Sequence, residues 1–317
     1  MTEAKTLLRL AALAAMWGSS FFWIKLGLSA FTPVQLVLVR LVLGTLVLGG
    51  LCLAYRDRLP ATRRLWKHLA VAALFHNALP FLLVAIGEQT VDSGLTGVIN
   101  ATTPLWVVLI AFLWRTEGRL GGPKLAGLVL GFTGVMVIFE PWNTSGGLLS
   151  AGALLCLAAA ASYGFVFVYE GKFLTGVGVS PFALAAAQMM TATGFMLFAV
   201  PVGGLEPIHA DGTAFAAVVV LGVFSTGFAF ALNYRVLADI GAVASSVVGY
   251  LLPVVSVLLG TVFLDEELNL RVIAGMAIVL AGVALTRLRP RPVVLPPVPA
   301  EAVAAGAEVQ RDRVSRV

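Results

Sequence analysis

Few side chains in this sequence can do chemistry, and those that can stand inside long apolar runs. His76 and Asn77 lie at the centre of one such run, with Pro80 a turn later. A polar or ionisable group in hydrocarbon costs roughly a few kcal/mol unless it faces protein or water, so each one asks for an explanation. His76 is the mid-run group that titrates near neutral pH, which suits proton coupling or a hydrogen bond to a substrate. A neutral histidine donating to a neighbouring carbonyl is the alternative. Pro80 removes a backbone donor and predicts a kink that exposes carbonyls to a ligand or to helix motion.

Arg40 stands seven residues after Pro33, about 10 Å into its own run at 1.5 Å per residue. It can snorkel outward, pair with an anionic substrate group, or bind carbonyl ends within a bundle. Gln188 occupies the matching place in the second half of the chain, and a supporting structural role suits this pair as well as substrate contact does. Trp17-Gly18-Ser19-Ser20 is another mid-run stretch. Glycine and serine permit close helix approach, while tryptophan supplies a flat wall and one N–H donor. Tyr163-Gly164 answers it in the second half, so a shared cavity stands beside plain packing as the reading. Asn100 precedes Pro104, and Tyr250 precedes Pro253. Interrupted membrane helices of this kind mark carrier binding sites, which makes both side chains candidates for substrate hydrogen bonds and both prolines candidates for kinks or gating. Interhelical hydrogen bonding is the competing role.

Signatures of soluble enzymes are absent from the sequence. There is no GxxxxGK loop, no HExxH, no CxxC and no convincing Ser/His/Asp arrangement, so neither a nucleotide, a metal nor another cofactor is expected. Cys52 and Cys156 fall inside apolar runs and read as small packing residues. A membrane enzyme would need a nucleophile, base or metal set converging at one depth, where a single histidine is available. The chain is therefore not expected to be an enzyme.

Composition dictates where these residues live. Apolar residues make up 59% of the chain and charged ones 12%, far more apolar surface than a water-soluble domain can hide. The net charge of +5 does not point to nucleic acid, because the basic residues sit in short breaks between apolar runs. A bilayer core of about 30 Å needs roughly 20 apolar residues in a helix. Ten runs meet that length, near 6–27, 33–54, 67–87, 93–113, 121–139, 148–169, 181–203, 213–236, 241–263 and 270–287. The first run is too long for a cleaved signal, carries Trp17 and Trp23, and leads straight into a second run.

The runs repeat. Pro104 and Pro253 are 149 residues apart, Glu117 and Glu266 149, Gly127 and Gly275 148, Gly134 and Gly282 148, and Pro33 and Pro181 148. A constant offset over so many positions signals duplication, which divides the chain into 1–141, 142–289 and a Pro-rich tail over 290–317 predicted to be a disordered cytoplasmic segment. Lys and Arg collect in alternate breaks, placing both termini in the cytoplasm. Five helices per copy is an odd number, so the second copy enters the membrane from the opposite side. The predicted fold is thus all-α and integral to the membrane, with ten transmembrane helices in two inverted five-helix repeats, a plan that secondary transporters use around a midplane site. Gly127, Gly131 and Gly134, with Gly275 and Gly282, predict tight helix packing within a monomer or across a homodimer. Glu117 and Glu266 at helix junctions are expected to cap the helix that follows.

Taken in order, Trp17-Gly18-Ser19-Ser20, Lys25, Pro33, Arg40, Pro104, Glu117, Gly127 and Gly134 recur in degraded form through Pro181, Pro253, Glu266, Gly275 and Gly282. This pattern, over about residues 7 to 287, resembles the EamA family of the drug/metabolite transporter superfamily. The resemblance implies an inner-membrane, multi-pass carrier that typically exports amino acids or similar small metabolites. It also implies a cavity lined by the first, third, fourth, sixth, eighth and ninth helices. Trp17, His76, Asn77, Asn100, Tyr163 and Tyr250 would then face substrate, with Arg40 and Gln188 on neighbouring helices. The second copy departs from the pattern in carrying tyrosine for tryptophan and glutamine for arginine.

The function expected on these grounds is secondary transport by alternating access, with a small-molecule substrate, the lipid bilayer as surroundings and proton exchange through His76 as an energy source. No Asp or Glu falls at mid-run, so coupling by a carboxylate is not expected, and facilitated diffusion is the alternative to proton exchange. A non-transporting membrane scaffold or sensor would account for the helices but not for a kinked, polar midplane that occurs in both halves.

Overall fold

The computed structural model describes residues 3–115, 122–139, 150–233, 236, 248–267 and 269–286. Every regular element among them is helical. In chain order the apolar helices are α1 (Leu8–Gly27), α2 (Pro33–Ala54), α3 (Arg63–Gly87), α4 (Ser93–Leu113), α5 (Gly122–Phe139), α6 (Ala151–Phe173), α7 (Pro181–Gly203), α8 (Gly212–Asn233), α9 (Val248–Phe263) and α10 (Leu270–Thr286). Seven of them are long and apolar enough to cross a bilayer; among the described residues α5, α9 and α10 present shorter apolar stretches. The seven coincide with predicted runs to within about one helical turn. Glu117, the boundary at 141, and the 290–317 tail lie outside the described residues, as does the side chain of Tyr250.

Helix starts are fixed by local chemistry. Thr32 and Gln35 form a capping box at α2, with Gln35 N–H donating to Thr32 Oγ1 at 3.3 Å and Thr32 N–H to Gln35 Oε1 at 3.0 Å. Pro33 follows at the first position, where its missing donor costs nothing. Ser150 caps α6 through Ala153 N–H, and Asp211 caps α8 through Thr213 and Ala214 N–H. Glu266 also acts as a cap, but not on the helix that follows it. Its two carboxylate oxygens accept from Ser93 N–H at 2.7 Å and Gly94 N–H at 2.8 Å, at the start of α4. Asp92, the residue preceding α4, makes no side-chain cap of its own, so the orphan amides take a carboxylate from across the bundle.

The outward surface is that of a lipid-exposed bundle. Phe198 and Val202, one turn apart on α7, are 83% and 90% exposed, which a water-facing helix would not sustain in company with so many similar side chains. Much of α7 is instead built from small residues, Ala183, Ala185, Ala186, Ala187 and Ala192, all buried. Small side chains there let α7 lie close along α2, where Thr45 and Thr193 share a hydrogen bond at 3.1 Å.

Glycine sets the remaining crossings. A Cβ on Gly134 would fall 2.8 Å from Gly275 O, and one on Gly282 would fall 2.7 Å from Gly127 O, so α5 and α10 touch backbone to backbone. Gly18 on α1 leaves room for Val255 of α9, and Gly164 on α6 leaves room for Trp106 of α4.

Two helices are widened internally. Ala73–Ala78 within α3 and Val223–Phe228 within α8 are π-helical turns. Pro80 follows one residue past the first, and Leu79 N–H reaches back to Leu74 O, so in this wider register the acceptor left without a donor by Pro80 is Phe75 O. α4 breaks instead at Ala101–Thr102, just before Pro104. Pro253 lies inside α9 without interrupting it.

Candidate functional site

The π-turn of α3 carries Phe75, His76 and Asn77. Pro80, which has no N–H to give, leaves the Phe75 carbonyl free, and it accepts from Ser162 Oγ of α6 at 2.7 Å. That bond pins α3 to α6 at the level where the polar residues stand.

His76 and Asn77 are both buried, and each finds a partner on a different helix. His76 Nδ1 lies 2.8 Å from Glu170 Oε1 of α6. Gln188 Nε2 of α7 donates to Asn77 Oδ1 at 2.9 Å and to the same Glu170 oxygen at 3.3 Å. Three helices therefore meet at one carboxylate. The His76 and Glu170 side chains are 9% and 20% exposed, so the pair is largely withdrawn from solvent yet not sealed. Asn77 Nδ2 is fully buried and makes no hydrogen bond to a described residue. An orphaned donor of that kind costs about 1–3 kcal/mol, a cost that a ligand acceptor would remove.

Aromatic rings wall the cluster. The His76 ring stands 6.0 Å from Tyr163, 5.4 Å from Phe167 and 5.5 Å from Phe230, and Trp17 meets Phe230 edge-on at 5.9 Å. The Tyr163 hydroxyl makes no hydrogen bond to a described residue. Trp17, Tyr163, His76, Asn77 and Gln188, picked from sequence, are thus drawn into one neighbourhood.

Arg40 of α2 is 5% exposed. Its Nε donates to Thr226 Oγ1, in the π-turn of α8, at 2.8 Å. Its guanidinium carbon sits 3.7 Å from the centre of the Phe81 ring, a stacked cation–π contact. Thr226 is held in turn by its own hydroxyl donating to Leu221 O at 2.9 Å.

Asn100 is not joined to this group by any hydrogen bond. Its Oδ1 is buried without a partner among the described residues, as is Trp106 Nε1 on the same helix. The Tyr250 backbone lies in α9. A separate cleft of about 420 Å³ opens between α1, α2, α7 and α8, lined by Met16, Leu51, Tyr55, Phe182, Phe224 and Phe228 among others. Its walls are apolar and His76 is not among them, so we take the hydrogen-bonded cluster, which carries the chemistry, as the site.

Sequence reasoning missed Glu170, Thr226, Phe230 and Phe81. Glu170 lies one residue beyond the predicted sixth run, whereas α6 continues to Phe173. The expectation that no Asp or Glu falls at mid-run does not anticipate this residue: the longer helix brings the Glu170 carboxylate to His76. A face count could have found it, because Glu170 follows Tyr163 by seven residues and so lies two turns along the same stripe. Outside the cluster, Lys25 Nζ donates to Glu88 O at 2.8 Å and Val91 O at 2.9 Å, securing the α3–α4 connection to α1.

Comparison with known proteins gives a consistent picture. A family model described as the EamA-like transporter family matches twice, over residues 5–140 and 150–288. An uncharacterized transporter of Archaeoglobus fulgidus is 26% identical over 277 residues, spanning 86% of this chain and 95% of that one. The uncharacterized inner membrane transporter YedA of Escherichia coli is 28% identical over 284 residues, spanning 88% and 89%. The uncharacterized transporter YdfC of Bacillus subtilis is 27% identical over 276 residues, spanning 86% and 88%. A solved crystal structure superposes with a TM-score of 0.65 and 21% identity over 93% of this chain and 100% of its own, a likeness of fold.

Proposed function

The chain belongs to the EamA-like transporter family, and from that premise we propose that it moves amino acids or similar small polar metabolites out of the cell by alternating access. The substrate binds among Trp17, His76, Asn77, Tyr163 and Glu170, with Gln188 holding Asn77 and Glu170 in place. Asn100 and Tyr250 extend the site from α4 and α9. Pro80 and Pro104 mark the points where α3 and α4 flex, and Pro253 is the matching position in α9.

The observation that carries this reading is the 2.8 Å His76–Glu170 pair held inside a membrane bundle. Buried ionisable groups in such a place pair with one another and mark substrate or proton paths. One proton shared between an imidazole and a carboxylate can be surrendered to water on one side and regained on the other, which would let the pair couple flux to a pH gradient.

Support for two inverted five-helix units comes from contacts that exchange partners at a nearly fixed offset. Arg40 of α2 bonds Thr226 of α8, and Gln188 of α7 bonds Asn77 of α3. Gly18 faces Val255, and Gly164 faces Trp106. Gly134 meets Gly275 O as Gly282 meets Gly127 O. Each contact and its counterpart are related by 146 to 149 residues, as a two-fold axis between the halves requires. In this reading α1 to α5 and α6 to α10 are the two units, and both termini face the cytoplasm.

Counterflow into proteoliposomes with a panel of radiolabelled amino acids tests the proposal. At least one solute should exchange in a saturable manner and respond to an imposed pH gradient. Absence of exchange for the whole panel, from protein shown to be folded, would contradict it.

A further inference from the structure

We propose that Arg40 is the seat of a substrate carboxylate, with Thr226 and Phe81 fixing the guanidinium so that its two terminal nitrogens present a bidentate edge to the ligand. The inference rests on the transport reading above and assigns the charged end of the molecule carried.

Three observations combine. Arg40 is nearly fully buried, and among the described residues no carboxylate forms an ion pair with it. A guanidinium cannot shed its charge to suit its surroundings, and a charge withdrawn from water without a counter-ion is expensive. Its Nε is committed to Thr226 and one face lies against Phe81, while Nη1 and Nη2 make no hydrogen bond to a described residue. The open edge is thus the one that matches a carboxylate through two parallel bonds. Thr226 is itself locked to the Leu221 carbonyl, so the fork is held before a ligand arrives.

Position favours the same conclusion. Phe81, against which the guanidinium stacks, shares one buried core with Phe230, Trp17 and Tyr163 of the cluster already described. Glu88, whose carboxylate oxygens make no hydrogen bond to a described residue, does not satisfy the terminal nitrogens of Arg40. A single guanidinium balances one negative charge, which fits a carboxylate and leaves a phosphate dianion half-neutralised. The counterpart of Arg40 is the neutral Gln188, whose amide bonds Glu170. The two image positions therefore differ in charge, cationic at Arg40 and neutral at Gln188, and it is Gln188 that holds the acidic Glu170. A zwitterion with its carboxylate on Arg40 and its ammonium toward Glu170 suits that asymmetry.

Thermal unfolding of the full-length protein in nanodiscs tests this without requiring turnover. The probes are L-leucine, L-phenylalanine and L-threonine, each beside its own carboxamide. At least one free carboxylate should raise the melting temperature of the wild type, with its amide binding at least tenfold more weakly. Arg40→Gln should abolish that discrimination. Arg40→Lys keeps the charge but loses the fork, and should weaken carboxylate binding about tenfold; it carries the test if Arg40→Gln does not fold. Amides that bind as well as acids would overturn the inference. So would a wild type stabilised by none of the three acids, or Arg40→Lys with unchanged affinity. Carboxylate binding through Arg40 without counterflow would remove the transport reading alone. Counterflow inhibited equally by acids and amides would remove the inference alone.

Discussion

Gln188 donates its side-chain amide to Asn77 Oδ1 at 2.9 Å, one residue from His76 and its carboxylate partner. Because Gln188 also bonds Glu170, it joins α3, α6 and α7 in one network. Interhelical hydrogen bonds in membrane proteins average about 0.6 kcal/mol in double-mutant cycles. A cycle over Asn77→Ala and Gln188→Ala, read by reversible unfolding in mixed micelles, should return a coupling of about that size, with both single variants destabilised. Additive effects would mean that the bond does not contribute to the folded bundle.

The α5–α10 contact predicts a sharp positional contrast. A Cβ on Gly282 would lie 2.5 Å from Gly131 N and 2.7 Å from Gly127 O, whereas one on Gly49 meets nothing within 4 Å. Backbone atoms cannot swing aside as a side chain can, so Gly282→Ala must push α5 and α10 away from each other, at a cost of roughly 1–3 kcal/mol for overpacking. Gly49→Ala should be neutral or mildly stabilising, since alanine is the better helix former. Melting temperatures of the two variants in the same detergent check this.

At the start of α8 the pH dependence has a definite sign. The Asp211 carboxylate accepts from Ser29 Oγ and from Ala214 and Thr213 N–H, and these bonds, the Ser29 bond foremost, hold it below the ordinary carboxylate value. A carboxyl group that is more acidic folded than unfolded contributes stability above its unfolded pKa and loses it as pH falls through the folded one. Asp211→Asn should therefore narrow the stability difference between neutral pH and the acid range below about 4. Identical pH profiles for variant and wild type would show that the cap does not form.

Much of this architecture was legible in the sequence because membrane spans must be apolar for a whole bilayer thickness, and duplication leaves fixed offsets. Pro80 flagged the irregular turn of α3, and His76, Asn77 and Gln188 stood out as polar groups where hydrocarbon was expected. The π-turn of α8 carries no proline and was invisible, so Thr226 could not be matched to Arg40. Glu170 was hidden for a different reason: a helix end chosen by hydropathy stops at the first charge, but that charge folds back on His76 and belongs to the site. Glu266 is a cap, as its junction position predicts, but it caps α4 and not the helix that follows it, since an end-capping carboxylate is fixed by proximity in space and not by order in the chain.

The central claim is that His76 and Glu170 act as one unit in moving solute. Initial counterflow rates for wild type, His76→Ala, Glu170→Gln and the double variant, reconstituted at equal density from folded protein, test it most directly. If the two groups are one device, each single change should lower the rate at least tenfold, and the double variant should be no slower than the worse single one, because partners in a shared function are strongly non-additive. Single variants that retain rates within about twofold of wild type, or losses that multiply in the double variant, would contradict the account.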